Sequence, residues 1–179
     1  MHHPACPGKT EHLYLLLRRN EEIYYETDEG EDYIMKIALG SDHGGFELKE
    51  KIKQQLEQDG YTCKDCGCFS TESCDYPVFG EAAARAVASG ECEKGIVVCT
   101  TGIGISISAN KIKGIRCAHC ADTLEAQLCR QHNNANMLAL GAGFTGPKLA
   151  AEMVKVFLNT DFEGGRHARR VALMDAIEG

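Results

Sequence analysis

The residues of this chain best suited to chemistry lie in Gly95-Ile-Val-Val-Cys-Thr-Thr-Gly-Ile-Gly-Ile-Ser-Ile-Ser-Ala-Asn-Lys111. The pattern predicts a short buried strand, a tight glycine turn and a helix, with Cys99 where the strand ends. The first amides of a helix are unpaired and carry partial positive charge, so they hold anions and favour thiolates. A cysteine there can act as base or nucleophile. Gly102 and Gly104 let a substrate approach the backbone closely. These features point to an enzyme acting on a small anionic substrate.

Other constellations could join it. Gly40-Ser-Asp-His-Gly-Gly45 follows an apolar run and places Asp42 and His43 at a second strand end, although aspartate also caps turns as a matter of course. Gln131-His-Asn-Asn-Ala-Asn136 offers His132 as an acid or base, and the amides of Asn133 and Asn134 as hydrogen-bond donors. Asparagines also make good left-handed helix stops. In Glu163-Gly-Gly-Arg-His-Ala-Arg-Arg-Val171, Arg166 and Arg170 are four apart and share a helix face, beside His167. Guanidinium forks suit phosphate, and a solvated basic helix is the competing reading.

Positioning these residues requires a regular frame. Strands are predicted at 36–39, 61–65, 95–99, 115–119 and 137–140. Helices are predicted at 45–58, 76–89, 103–111, 122–132, 147–158 and 165–177. In the first helix Leu48, Ile52 and Leu56 form an i, i+4, i+8 stripe, and Gly60 is the expected stop. Short apolar strands alternating with helices predict an α/β fold: a doubly wound, five-stranded parallel sheet of Rossmann or flavodoxin-like order, covered on both faces. Such sheets bind ligands at the carboxyl ends of their strands.

Composition narrows the function further. The chain has 179 residues and a net charge of −7, with Lys9, Arg18 and Arg19 against eight acids in residues 1–34. The acidic balance argues against a nucleic-acid partner. No run approaches the roughly 18 apolar residues of a membrane span, and Leu13-Tyr-Leu-Leu-Leu17 is too short for a signal sequence. A cytoplasmic location is expected, with most of the ten cysteines reduced. Residues 1–34 read as an N-terminal extension, disordered or preceding a natural start at Met35. A hairpin or helix over Leu13 to Tyr25 is the rival reading. Residues 35–179 form the expected domain.

Neither glycine turn fits the G-x-G-x-x-G spacing of a nicotinamide site, and no Walker-type loop is present. The pairs Cys63-x-x-Cys66 and Cys117-x-x-Cys120 could hold zinc only if adjacent, and in a flavodoxin-like order the second and fourth strands are not neighbours. No metal is expected.

Taken together, Gly40-Ser-Asp-His-Gly-Gly, Asp75-Tyr-Pro, Cys99-Thr-Thr-Gly-Ile-Gly, Ala109-Asn-Lys, Arg130-Gln-His-Asn-Asn-Ala-Asn and Phe162-Glu-Gly-Gly-Arg-His strongly resemble the type B ribose-5-phosphate isomerases, a family that includes galactose- and allose-6-phosphate isomerases. The resemblance runs from Met35 to about Ile177. It implies a cofactor-free aldose–ketose isomerisation through an enediolate, with ribose 5-phosphate and ribulose 5-phosphate as the pair. The alternatives are a hexose phosphate or a silent phosphosugar-binding role. Cys99 then matches the base. Thr101, Asn133 and the turn at Gly102, Ile103 and Gly104 match the support for thiolate and oxyanion. His132 and Asp42 match the ring-opening pair, and His43, Arg166, His167 and Arg170 the phosphate group. The resemblance also implies a homodimer, or a pair of dimers, with sites shared between subunits and a C-terminal helix for dimerisation. Two positions depart from the family pattern: Thr100 replaces a usual glycine, and Gly143 stands where an arginine is common.

Overall fold

The computed structural model describes residues 15–19, 22–26 and 32–178. The expectation for residues 1–34 falls largely outside this set. Within it, β1 (Leu15–Arg19), β2 (Glu22–Glu26) and β3 (Asp32–Tyr33) pair antiparallel.

The main body alternates strand and helix: β4 (Lys36–Ser41), α1 (Phe46–Gln58), β5 (Thr62–Asp65), α2 (Tyr76–Ala88), β6 (Lys94–Cys99), α3 (Ile103–Ala109), β7 (Cys117–His119), α4 (Thr123–Asn133), β8 (Met137–Gly141), α5 (Pro147–Asn159) and α6 (Arg166–Asp175). The five strands form one sheet in the order β5-β4-β6-β8-β7, with every pair parallel. The doubly wound expectation holds. The two cysteine pairs fall on opposite edge strands, β5 and β7, too far apart to share an ion. The fourth predicted strand is shorter than its apolar run, because Ile115 and Arg116 belong to the entry turn and pair only in part.

Side-chain alternation distributes the core between two faces. Ile37, Leu39, Ile96, Val98, Leu138 and Leu140 face α1, α4 and α5. Ala38, Val97, Met137 and Ala139 face the smaller α2 and α3, through Ala83, Ala84 and Ile105. The Leu48, Ile52 and Leu56 stripe is buried as its spacing predicts. Gly60 ends α1 with a φ of 88°, returning its N–H to Glu57 O while Tyr61 N–H reaches Leu56 O. That is a Schellman stop, closed by contact between Leu56 and Tyr61 in the core.

The most deeply buried charge lies inside this frame. Lys49 of α1 is wholly buried, and its Nζ donates to Asp65 Oδ1 at 2.6 Å and to Cys68 O at 2.9 Å. Burial alone would raise the Asp65 pKa. Bonds from Lys49, the Gly67 N–H and Lys53 outweigh it and hold the carboxyl below its usual range. The same knot anchors the segment after β5, which pairs with Ser41 through Ser41 N–H to Gly67 O and Cys68 N–H to Ser41 O. It therefore fixes the end of β4, where the first functional turn begins.

Removing Lys49 leaves a half-buried carboxylate that retains only Lys53 and the Gly67 N–H. Lys49→Ala is expected to lose about 3 kcal/mol of stability in urea unfolding at pH 7. A depressed carboxyl contributes stability above its unfolded pKa and loses it as pH falls through its folded pKa. The gap between mutant and wild type should therefore narrow on acidification below about pH 4.

Candidate active site

At the carboxyl end of the sheet, β4 and β6 bring Asp42 and Cys99 to adjacent turns. Asp42 N–H donates to Val98 O at 3.2 Å, and Asp42 Oδ1 accepts the Gly45 N–H at 2.9 Å. The aspartate is 6% exposed, so one oxygen braces its own turn at the edge of the crevice. His43 is exposed and its Nδ1 accepts the Cys74 N–H at 3.2 Å. Its orientation comes from the segment that Lys49 anchors.

Cys99 ends β6 with its side chain 4% exposed. Gly102 N–H donates to its Sγ at 3.0 Å, and Thr101 Oγ1 lies 4.0 Å from it. The amide fixes the position of the sulfur at the end of the strand. Thr101 Oγ1 also accepts the Ile103 N–H at 3.2 Å, which ties off the first turn of α3. The left-handed φ of 76° at Gly102 turns its amide back to the thiol. A side chain there would meet His119 at 2.5 Å and the Leu140 backbone at 2.8 Å, so glycine is required by space as well as by angle. Burial pushes the thiols of Cys63 and Cys117 up to about 12, which leaves them small neutral core residues.

The second set of residues lies elsewhere. The segment 131–136 leads into β8, and Asn136 O accepts the N–H of Gly95, which pairs with Met137 at the amino-terminal end of the sheet. Cys99 pairs with Gly141 at the other end. Four residues of strand separate the two levels, about 13 Å. At that lower end His132 stacks on His167 with ring centroids 4.3 Å apart and planes within 4°. Glu163 Oε2 is 4.0 Å from His132 Nε2 and 3.7 Å from His167 Nε2. Arg166 Nε donates to His167 Nε2 at 3.2 Å. Glu163 N–H bonds Gln131 O at 3.1 Å and Arg116 pairs with Asp175 at 3.0 Å, which docks α6 on the end of α4.

The asparagines divide between roles. Asn134 takes the left-handed conformation, with φ 47°, and its Oδ1 accepts from Arg130, while Asn136 bonds Arg116 N–H and Gly114 O. Both serve the turn. Asn133 is exposed, with its side-chain amide unpartnered among the described residues.

One chain thus brings together Asp42, His43, Cys99, Thr101 and the turn at Gly102, Ile103 and Gly104. Separately it brings together His132, Asn133, Arg166 and His167, with Arg170 on the same helix. It does not join the two sets. The model of the Ribose/Galactose Isomerase family matches residues 37–174.

The chain belongs to the ribose/galactose isomerase family.

Ribose-5-phosphate isomerase B of Escherichia coli (strain K12) is 48% identical over 143 residues, covering 80% of this chain and 96% of that protein. D-Erythrulose-4-phosphate isomerase of Pectobacterium atrosepticum is 42% identical over 139 residues, covering 77% of this chain and 91% of the relative. The structure of Clostridium thermocellum ribose-5-phosphate isomerase B superposes with a TM-score of 0.80 at 51% identity, covering 80% of this chain and 97% of that one.

Within this family frame, the motif-based reading omits several residues near the site. Tyr76 packs on Gly104, where a Cβ would meet its ring at 2.6 Å. His119 lies against Gly102, and Thr100 stands between the turns after β4 and β8. Glu163 lies along the edge of the two stacked imidazoles, near the Nε2 atom of each. The Asp-Tyr-Pro motif around Tyr76 and the departure at Thr100 carried a visible signal. The other contacts depend on register between distant strands.

His167 has its pKa lowered, first by burial and then by the neighbouring His132 and Arg166, with Glu163 opposing. Its ring-proton NMR signal should titrate below the ordinary value of about 6.5. Glu163→Gln should move the midpoint lower still. An unshifted midpoint in the variant would remove Glu163 from this electrostatic balance.

Proposed function

We propose that this chain interconverts ribose 5-phosphate and ribulose 5-phosphate through an enediolate, with Cys99 as the base. The observation that carries the reading is the Cys99 thiol held by the Gly102 N–H at 3.0 Å beside Asp42, in a chain of this family. The thiolate takes the C2 proton of the open-chain sugar. The electron pair moves into a C1–C2 double bond and negative charge gathers on the carbonyl oxygen. The Gly102 N–H supports the thiolate and the Ile103 N–H braces Thr101, which leaves the Thr101 hydroxyl and the Gly104 amide of the same turn to bind that oxygen, a contribution of about 3 kcal/mol per good donor. The thiol then returns its proton to C1 while the O2 hydroxyl proton passes to O1, which leaves the carbonyl at C2 and a hydroxyl at C1. His132 and Asp42 open the sugar ring, and Asn133 steadies the intermediate. His43, Arg166, His167 and Arg170 bind the phosphate.

These roles require a second copy of the chain, because the thiol set and the His132 set sit at opposite ends of one sheet. In a twofold dimer the upper end of one protomer faces the lower end of its partner. Exposed apolar residues flank both sets: Tyr76, Val78, Ile103 and Ile107 beside the thiol, and Leu173, Met174 and Ile177 around α6. Apolar surface of this kind marks an interface better than it marks a solvent-facing wall. A homodimer with α6 at the contact supports the reading, and the shared substrate is a small sugar phosphate. Among the described residues no helix is long and apolar enough to cross a membrane.

Cys99→Ala should abolish conversion of ribose 5-phosphate, measured without added cofactor and with chelator present. Mixed subunits test the sharing of sites. Cys99→Ala and His132→Ala proteins, each inactive, should recover about a quarter of wild-type activity when refolded together in equal amounts, since half the dimers are mixed and each then holds one intact site. No recovery would mean that each chain assembles its own complete site.

A further inference from the structure

Thr100 is the residue between the thiol and Thr101, and no role for it follows from the mechanism above. Its side chain lies where two other turns have no side chain. A Cβ on Gly44, in the turn after β4, would lie 2.3 Å from Thr100 Oγ1. A Cβ on Gly143, in the turn after β8, would lie 3.0 Å from Thr100 O and 3.5 Å from its Cγ2. The Gly143 N–H donates to Thr100 O at 2.9 Å, so the backbone is fixed and the side chain is directed into the gap. Asp42 Oδ1 borders the same space, 3.4 Å from the Gly44 Cβ position. Thr100 is nonetheless exposed, and its hydroxyl has no hydrogen-bond partner among the described residues.

We infer that Thr100 is a specificity-determining residue, whose side chain fills the crevice between the Gly44 and Gly143 turns and limits the sugar phosphate to a five-carbon chain. This rests on the isomerase reading above. A substrate with C2 at Cys99 must extend past the next residue to reach His43 and the phosphate-binding cations. The path is bounded by Asp42 on one side and Gly143 on the other, with Thr100 between them. The β-carbon, hydroxyl and methyl of threonine take up about the room of the extra hydroxymethylene unit of a six-carbon sugar. Two glycines facing one threonine leave space for that side chain and little more.

Discrimination by one such unit in a fitted pocket is about 10- to 200-fold. The test compares kcat/KM for ribose 5-phosphate and allose 6-phosphate in wild type, Thr100→Gly, Thr100→Ser and Thr100→Val. Thr100→Gly should shift the ratio toward the hexose phosphate by about tenfold or more, and Thr100→Ser by less. Thr100→Val keeps the volume without the hydroxyl and should leave the ratio within about threefold of wild type. An unchanged ratio in both Thr100→Gly and Thr100→Ser overturns the inference, as does a shift in Thr100→Val equal to that in Thr100→Gly. Should Thr100→Gly fail to fold, Thr100→Ser against Thr100→Val decides by the same criterion. Wild type inactive on both sugars would defeat the isomerase reading itself, a different outcome from an unchanged ratio.

Discussion

A parallel strand can be re-entered only from the end where it began, so every connecting helix must carry the chain back down the sheet. That constraint governs where this protein can place its chemistry. Residues that follow a strand, such as Asp42 after β4 and Cys99 at the end of β6, collect at the carboxyl edge. Residues that close a helix, such as His132 and Asn133 at the end of α4, collect at the opposite edge beside Gly95 and Met137. No local adjustment of side chains bridges a difference set by strand length. The function we propose draws its catalytic set from both groups, and it therefore asks for an assembly of two chains.

The thiol turn shows how narrowly the upper edge is built. Gly102 needs its left-handed angle to aim an amide at Cys99, and it needs empty space because His119 and the Leu140 backbone crowd its outer face. Gly141 is held as closely, since a Cβ there would meet Thr101 O at 2.6 Å. The turns after β4, β6 and β8 thus touch through backbone, with glycine at each contact. Such packing stiffens the donor that faces the sulfur, and preorganised donors stabilise charge most because they need not reorient as it develops. It also makes Thr100 conspicuous as the side chain that enters the gap between these turns.

Much of this was legible in the sequence. The period of Leu48, Ile52 and Leu56, the stop at Gly60 and the apolar runs before Gly40, Cys99 and Gly141 are local signals, and they describe the sheet and its helices correctly. The pairing of Asp42 with Cys99 at one edge follows from strand direction alone. The separation of His132 from Cys99 follows from the same rule, although the motifs that name them give no sense of distance. Other features depend on contacts between residues far apart in the chain. Lys49 interrupts no pattern that marks it as buried; it becomes an internal cation only because β5 sets Asp65 beside α1. His119 reads as an ordinary strand-end histidine until sheet order brings β7 near Gly102.

Charge at the lower edge follows from the same geometry. Lys94 and Arg130 lie under the sheet, over the ring of Phe157, and donate to Leu158 O and Thr160 O where α5 ends. They satisfy carbonyls that a helix end leaves unpaired, at the pole where the helix dipole favours cations. Burial, with help from Arg130, depresses the Lys94 pKa to about 8. Both groups are committed to the frame, as Lys49 is at the other edge. Cations available to a doubly charged substrate include those of α6, where Arg166 and Arg170 share a face without a carboxylate partner among the described residues. An acidic protein binds an anion by keeping a few arginines free of its own carboxylates, and here the two glycines before α6 set that helix apart from the sheet so that those arginines face outward.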